Sequence, residues 1–252
     1  MGRKINQFQR QIFSLIILIS CGYLSASSYE QSIVNHKQQF EKVASDIWEL
    51  AELGYQETKS VDIIINELQK EGFKITKNVA GIPTAFIAEY SNGGPVIGIL
   101  GEYDALPGLA QSKLPYRDII DNTSGAGQAC GHHLFGAASA WAAVAIKEWL
   151  VENNVEGTIR FYGTPAEEGG SGKVYTVRAG LFEDVDIVLH WHPDDTNSAN
   201  SMTNNSNKSA KFTFKGISAH AAGSPEQGRS ALDLSLIHIS EPTRRTPISY
   251  AV

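Results

Sequence analysis

Apolar positions fall at helical spacing between Glu41 and Leu53, where Val43, Ile47, Leu50 and Ala51 fill one face and Gly54 supplies a stop. A second stripe, Val61, Ile64 and Leu68, predicts a helix over Ser60–Glu71 that ends at Gly72. The pattern then shortens. "FKITKNV", "TAFIAEY" and "PVIGILGEY" read as strands, and the last is nearly all apolar, as a strand buried on both faces should be. Farther on, Leu134, Ala138, Trp141, Ala145 and Trp149 mark a long buried helix, "GTIRFYG" a strand, "GKVYTVRAGLF" a helix and "DVDIVLHWH" another strand. Strands alternating with helices predict an α/β fold, a mostly parallel central sheet flanked by helices. The chemistry of such a sheet gathers near the carboxyl ends of its strands. The polar stretch "PDDTNSANSMTNNSNKS" breaks the alternation and reads as a connector, and "AKFTFKG" beyond it reads as a half-exposed strand opening a second domain.

Composition changes this picture little. The chain has 252 residues, 42% hydrophobic and 19% charged, ordinary for a globular protein. A formal charge of −6 gives no reason to expect nucleic acid as a partner. The first residues differ in kind: Arg3, Lys4 and Arg10 precede the apolar run "IFSLIILISCGYL" and the small residues "SASS". Residues 1–28 therefore read as an export signal, and the protein as periplasmic or extracellular. "LISC" resembles a lipoprotein cleavage box, so Cys21 is either lipidated, which anchors the protein to a membrane, or discarded by cleavage near Ser25–Ser28. Cys130 is the other of the two cysteines, and an unpaired thiol in an oxidising compartment calls for burial or a bound partner.

Three segments carry candidate chemistry. In "ACGHH", Cys130 and His132 stand where a glycine-rich loop enters the long helix, and a helix N-terminus favours thiolate over thiol. Thiolate and imidazole together suit zinc, although the pair alone reads first as a buried cysteine beside a satisfied histidine. In "TPAEEGG", Glu167 and Glu168 follow a strand directly, so one can bind metal while the other handles a proton; a solvated acidic loop is the alternative. In "IVLHWHP", His190 and His192 share one face of a strand. Together the three segments place cysteine, histidine and paired carboxylates at successive strand ends.

Six ordered segments spread over Phe40–Asp233 now resemble a known family: "IWELAELGYQE", "GEYDALPGLAQ", "GQACGHHLFGAA", "TPAEEGGSGK", "VDIVLHWHP" and "FKGISAHAAGSPEQGRSALD". They are similar to the dizinc aminoacylase and glutamate-carboxypeptidase family of metallopeptidases, in its amidohydrolase branch. The resemblance implies two divalent metal ions, zinc first and manganese as the alternative, held by Cys130, His132, Glu168 and His192. It implies Glu167 as general acid/base, Asp104 as the acid that orients a ligand from behind, and His190 as a supporting residue. His220 would lie in a lid domain and help hold the substrate and its oxyanion, often across a homodimer interface formed by the lid. The implied reaction is hydrolysis of the amide bond in small N-acyl amino acids or related substrates such as aminobenzoyl-glutamate.

The chain also departs from that pattern. The resemblance divides it into a signal (1–28), the first part of a catalytic domain (29–200), the start of an inserted α+β lid (201–233) and a tail (234–252). The family supplies a last histidine ligand after the lid, and the surroundings of His238 do not match that position. "LSLIHISEPTR" resembles a translated sequencing-library adapter, so the tail reads as artefact and the chain as an incomplete fragment, inactive and poorly folded alone. A second reading is a non-catalytic exported binding protein that keeps the fold and a partial metal site; the intact Glu167–Glu168 pair favours the enzyme.

Overall fold

A computed structural model describes residues 7–121, 124–199, 203, 206 and 210–240, with side chains from residue 29 to residue 236. It forms two compact units, Met1–Asn197 and Ser198–Val252. The boundary falls within the polar connector.

The first unit opens with α1 (Gln7–Leu50) and α2 (Thr58–Lys70), followed by β1 (Lys74–Lys77), β2 (Phe86–Ser91) and β3 (Val96–Gly101). A small ladder of β4 (Leu106–Pro107) and β5 (Ala126–Gly127) leads into α3 (His132–Glu152). Then come β6 (Thr158–Gly163), the single turn α4 (Glu167–Gly170), α5 (Gly172–Arg178) and β7 (Ile187–Leu189). The five main strands lie in the order β1-β2-β6-β3-β7. β3 runs parallel to both β6 and β7, while β2 is antiparallel to β1 and β6, so four strands share one direction and β2 opposes them. The sheet is thus mostly parallel, as its apolar strands imply.

The helical stripes become the core. Phe40, Val43 and Ile47 of α1 and Val61, Ile64, Ile65 and Leu68 of α2 pack with α3 against Phe86, Ala88, Ile99, Ile159 and Phe161 of the sheet. Neighbouring residues on the same strands point the other way. Leu100 and Tyr162 meet Leu181, Phe182 and Val185, which cover the second face. From Gly98 to Gly101, β3 is therefore buried on both sides.

Two expected elements differ. The helix expected over Gly172–Phe182 ends at Arg178, where Gly180 adopts a positive φ of 74° and the chain turns back to lay Leu181 and Phe182 on the sheet. The strand expected over Ala210–Gly216 does not form: the segment carries no strand, and the isolated bridge Ile217↔Arg229 lies just beyond it. That unit otherwise holds a short 3-10 turn, Pro225–Gln227, and α6 (Ala231–Ser240). The export-signal segment, residues 1–28, falls in part on the backbone of α1, and its side chains lie outside the described residues, as do the side chain of His238 and residues 241–252.

Candidate metal centre

Because β3, β6 and β7 are parallel, their carboxyl ends lie together. Glu102 and Asp104 follow β3, Glu167 and Glu168 follow β6, and His190 and His192 follow β7, while His132 opens α3. His132 is fully buried at the centre. Its Nδ1 stands 2.9 Å from Asp104 Oδ1, and its Nε2 stands 2.9 Å from Glu102 Oε2, 3.9 Å from Glu167 Oε2 and 4.0 Å from Glu168 Oε1. Cys130 Sγ lies 3.4 Å from His192 Nε2, and the donor atoms of Cys130, His132 and His192 all fall within 4.8 Å of one another. His190 sits to one side, its Nε2 3.6 Å from Glu102 Oε1, with its ring edge-on to Phe135.

Local structure fixes these positions. Gly136 lets α3 approach the end of β3, since a Cβ there would stand 2.5 Å from the Glu102 carbonyl oxygen. The loop between α1 and α2 clamps the turn that carries the glutamates. Glu57, fully buried, accepts the Ala166 N–H at 2.8 Å, and the Tyr55 hydroxyl donates to the Gly170 carbonyl at 2.5 Å. Ala166 adopts the left-handed conformation, φ 55°, which non-glycine residues avoid. Gly54 makes room for it, because a Cβ at residue 54 would come within 2.9 Å of Ala166 Cα. The same turn returns a contact to the other strand end: the Glu168 N–H donates to Asp104 Oδ2 at 2.9 Å.

Residues 98–246 match the model of peptidase family M20/M25/M40. The chain belongs to that family. A p-aminobenzoyl-glutamate hydrolase polypeptide from Escherichia coli K12 is 44% identical over 204 residues, covering 81% of this chain and 42% of that protein. A dinuclear metal-binding M20 peptidase of Bacillus subtilis superposes with a TM-score of 0.52 at 30% identity, over 62% of this chain and 43% of the other. An aminobenzoyl-glutamate utilization protein from Klebsiella pneumoniae shares the fold at a TM-score of 0.52 and 16% identity, over 81% of this chain and 57% of the other. The chain spans less than half the length of the curated relatives it matches.

The M20 site residues fit divalent metal ions on physical grounds. His132 Nε2, Glu102 Oε2 and Glu168 Oε1 are buried, and none of them makes a hydrogen bond. Close approach without hydrogen-bond geometry leaves their lone pairs aimed at a common space, and a cation is the group that satisfies several such atoms at once. The electrostatics agree. Burial opposes charge on His132, but Asp104 and Glu102 outweigh it and hold its pKa up at about 10. Burial also works against ionised Glu102, yet His132 and Lys173 bring its carboxyl down to about 2. Cys130 departs from expectation. A helix N-terminus favours thiolate, but burial and the carboxylates of Glu168, Glu167 and Glu102 push the thiol up to about 12. Only a cation placed among those acids reverses that balance.

The structure brings together Asp104, Cys130, His132, Glu167, Glu168 and His192. His220 belongs to the second unit, where its Nδ1 accepts the N–H groups of Ala222 and Gly223 at 3.2 and 2.9 Å, leaving Nε2 to carry the proton. Sequence reasoning missed Glu102 and its partner Lys173, whose ammonium pairs with the carboxylate. The signal was present in "EYD": residues two apart at a strand end point the same way, so Glu102 had to accompany Asp104.

Proposed function

We propose that the protein is a metal-dependent amidohydrolase that cleaves the amide bond of small N-acyl amino acids or aminobenzoyl-glutamate-like substrates. The observation that carries this reading is the buried His132, bracketed by carboxylates and a thiol, with His132 Nε2, Glu102 Oε2 and Glu168 Oε1 all buried and without a hydrogen bond. The similarity to the p-aminobenzoyl-glutamate hydrolase of Escherichia coli supports the substrate class. Cys130, His132, Glu168 and His192 would hold two divalent ions, with zinc the first choice for a thiolate–imidazole set. Bound metal supplies Lewis-acid polarisation of the amide carbonyl and lowers the pKa of water.

The protein's own groups do the rest. Asp104 fixes the His132 ring by accepting a hydrogen bond from Nδ1–H, which frees Nε2 as a metal donor. Glu167 is half-exposed and one residue from a ligand, so it can reach both the site and a substrate. It accepts a proton from the attacking water and returns it to the leaving amine nitrogen. His220 steadies the substrate and its oxyanion. In this reading the protein is exported, with Cys21 lipidated or removed, and acts as a homodimer through the second unit with no nucleic-acid partner.

The test is hydrolysis of p-aminobenzoyl-glutamate and of N-acetyl amino acids by protein reloaded with zinc or manganese. Glu167→Gln should keep the metal and lose at least about 100-fold in kcat, the range for a general base. Full turnover in Glu167→Gln would remove the assigned role, and no hydrolysis of any small amide by the reloaded protein would remove the function.

A further inference from the structure

Glu102 and Lys173 form a charged pair at the heart of the site that the reading above does not use. Glu102 is 2% exposed. Its Oε1 faces Lys173 Nζ and, at 3.6 Å, His190 Nε2, while its Oε2 faces His132 Nε2. That last contact is a 2.9 Å ion-pair approach in which neither buried atom meets hydrogen-bond geometry. The His132 ring is held from behind by Asp104, so its Nε2 points along a fixed line. Glu102 is held from behind by Lys173, so its Oε2 points along another. The two atoms end 2.9 Å apart.

The separation itself carries information. Nitrogen and carboxylate-oxygen bonds to a divalent ion are about 2.0–2.2 Å long, so two donors at right angles on one ion stand about 2.9 Å apart, whereas tetrahedral donors stand about 3.4 Å apart. His132 Nε2 and Glu102 Oε2 show the first spacing. Cys130 Sγ and His192 Nε2, at 3.4 Å, subtend an angle nearer the tetrahedral one when the longer sulfur bond of about 2.3 Å is allowed for. Glu102, His132 and Glu167 also form a second triad of donor atoms within 4.8 Å, distinct from the triad of Cys130, His132 and His192.

We infer that Glu102 is itself a metal ligand, donating Oε2 beside His132 Nε2, and that Lys173 holds and partly neutralises it. This rests on the metal-site reading above. The carboxylate count at the site is then higher than the residues assigned there imply. Lys173 competes with the metal for the charge of Glu102, so removing its ammonium strengthens binding.

The test uses the full chain stripped of metal and titrated with cobalt(II), whose visible absorption reports coordination number. Parent protein should show the cobalt bands together with a near-ultraviolet sulfur-to-metal band that disappears in Cys130→Ser. Absence of that sulfur band overturns the site reading on which the inference rests. Given the band, Glu102→Gln should weaken one cobalt site roughly 10–100-fold, a range that supporting residues can also produce. The deciding result is therefore spectral: loss of the carboxylate ligand must change the cobalt bands. Identical bands in parent and Glu102→Gln overturn the inference while leaving the site intact, and so does tighter binding in Glu102→Gln, which would mark Glu102 as a mere ion-pair partner of His132. Lys173→Met serves if Glu102→Gln does not fold. It should bind cobalt more tightly with unchanged bands, and unchanged affinity in Lys173→Met would count against ligation by Glu102.

Discussion

Glu57 should matter far more than its distance in sequence from the glutamates suggests. Its Oε1 is the acceptor for the Ala166 N–H, and Ala166 is 1% exposed, so no water can replace it. Glu57→Ala leaves that buried donor unpaired, which costs about 1–3 kcal/mol. The turn it holds is itself strained, because a left-handed alanine costs roughly 1–2 kcal/mol. Losing the clamp lets this strain relax and shifts Glu167 and Glu168 together. The expected result is a loss of about 1–3 kcal/mol in urea unfolding followed by circular dichroism. Burial raises the pKa of Glu57, favouring its neutral form, so Glu57→Gln keeps the acceptor and mimics that form; it should stay within about 0.5 kcal/mol of the parent. Ala166→Gly should stabilise by at most about 1 kcal/mol, since relief of the strain is partly offset by greater freedom of the unfolded chain. If Glu57→Ala is as stable as the parent, or if Glu57→Gln is as damaging as Glu57→Ala, the hydrogen bond is not what holds the turn.

Three further outcomes follow from other parts of the molecule. His36 bridges α1 to α3 through Glu148 at 2.9 Å and faces Glu71, just past the end of α2, at 3.6 Å; burial opposes its charge, but Gln39, Glu148 and Glu71 prevail and raise its pKa above 6.5. The folded state therefore holds the proton more tightly, so this stabilisation is full below about pH 6.5 and fades as pH rises through the higher folded value; the melting difference between parent and His36→Gln should shrink in that direction, and a constant difference would contradict it. β7 is the edge of the main sheet and carries Ile187, Val188 and Leu189 at 54, 43 and 49% exposure, so Val188→Lys should reduce light scattering on concentration, whereas unchanged scattering would show the edge is already protected. Gly54→Ala should destabilise by about 1–3 kcal/mol, as overpacking against backbone does, because its Cβ meets Ala166 Cα at 2.9 Å; a melt like the parent's would mean the clamp has slack.

The order of helices and strands was legible because apolar periodicity is a local property. The stripes of Val43 and Ile47, and of Val61, Ile64 and Leu68, became the buried faces of α1 and α2, and the apolar run of β3 became a strand covered on both sides. The gathering of Cys130, His132, Glu167, Glu168 and His192 was legible for a related reason, since each follows a strand or opens a helix. What sequence did not reveal depends on contacts between distant segments. The hold of Glu57 on Ala166 spans 109 residues, and Lys173 reaches Glu102 across 71. The upward push on the Cys130 thiol also escaped, because a helix N-terminus can be read locally while three carboxylates arriving from other elements cannot. The strand expected over Ala210–Gly216 did not form, because alternation says which side would face a core and does not by itself make a ladder.

The most direct test is where a metal ion binds. Crystals of protein loaded with zinc or manganese, measured on either side of the metal's absorption edge, would locate it without reference to activity. The account predicts anomalous peaks within about 2.0–2.3 Å of His132 Nε2 and of Cys130 Sγ. Saturating metal with no peak at these atoms, or peaks only on surface carboxylates, would contradict it.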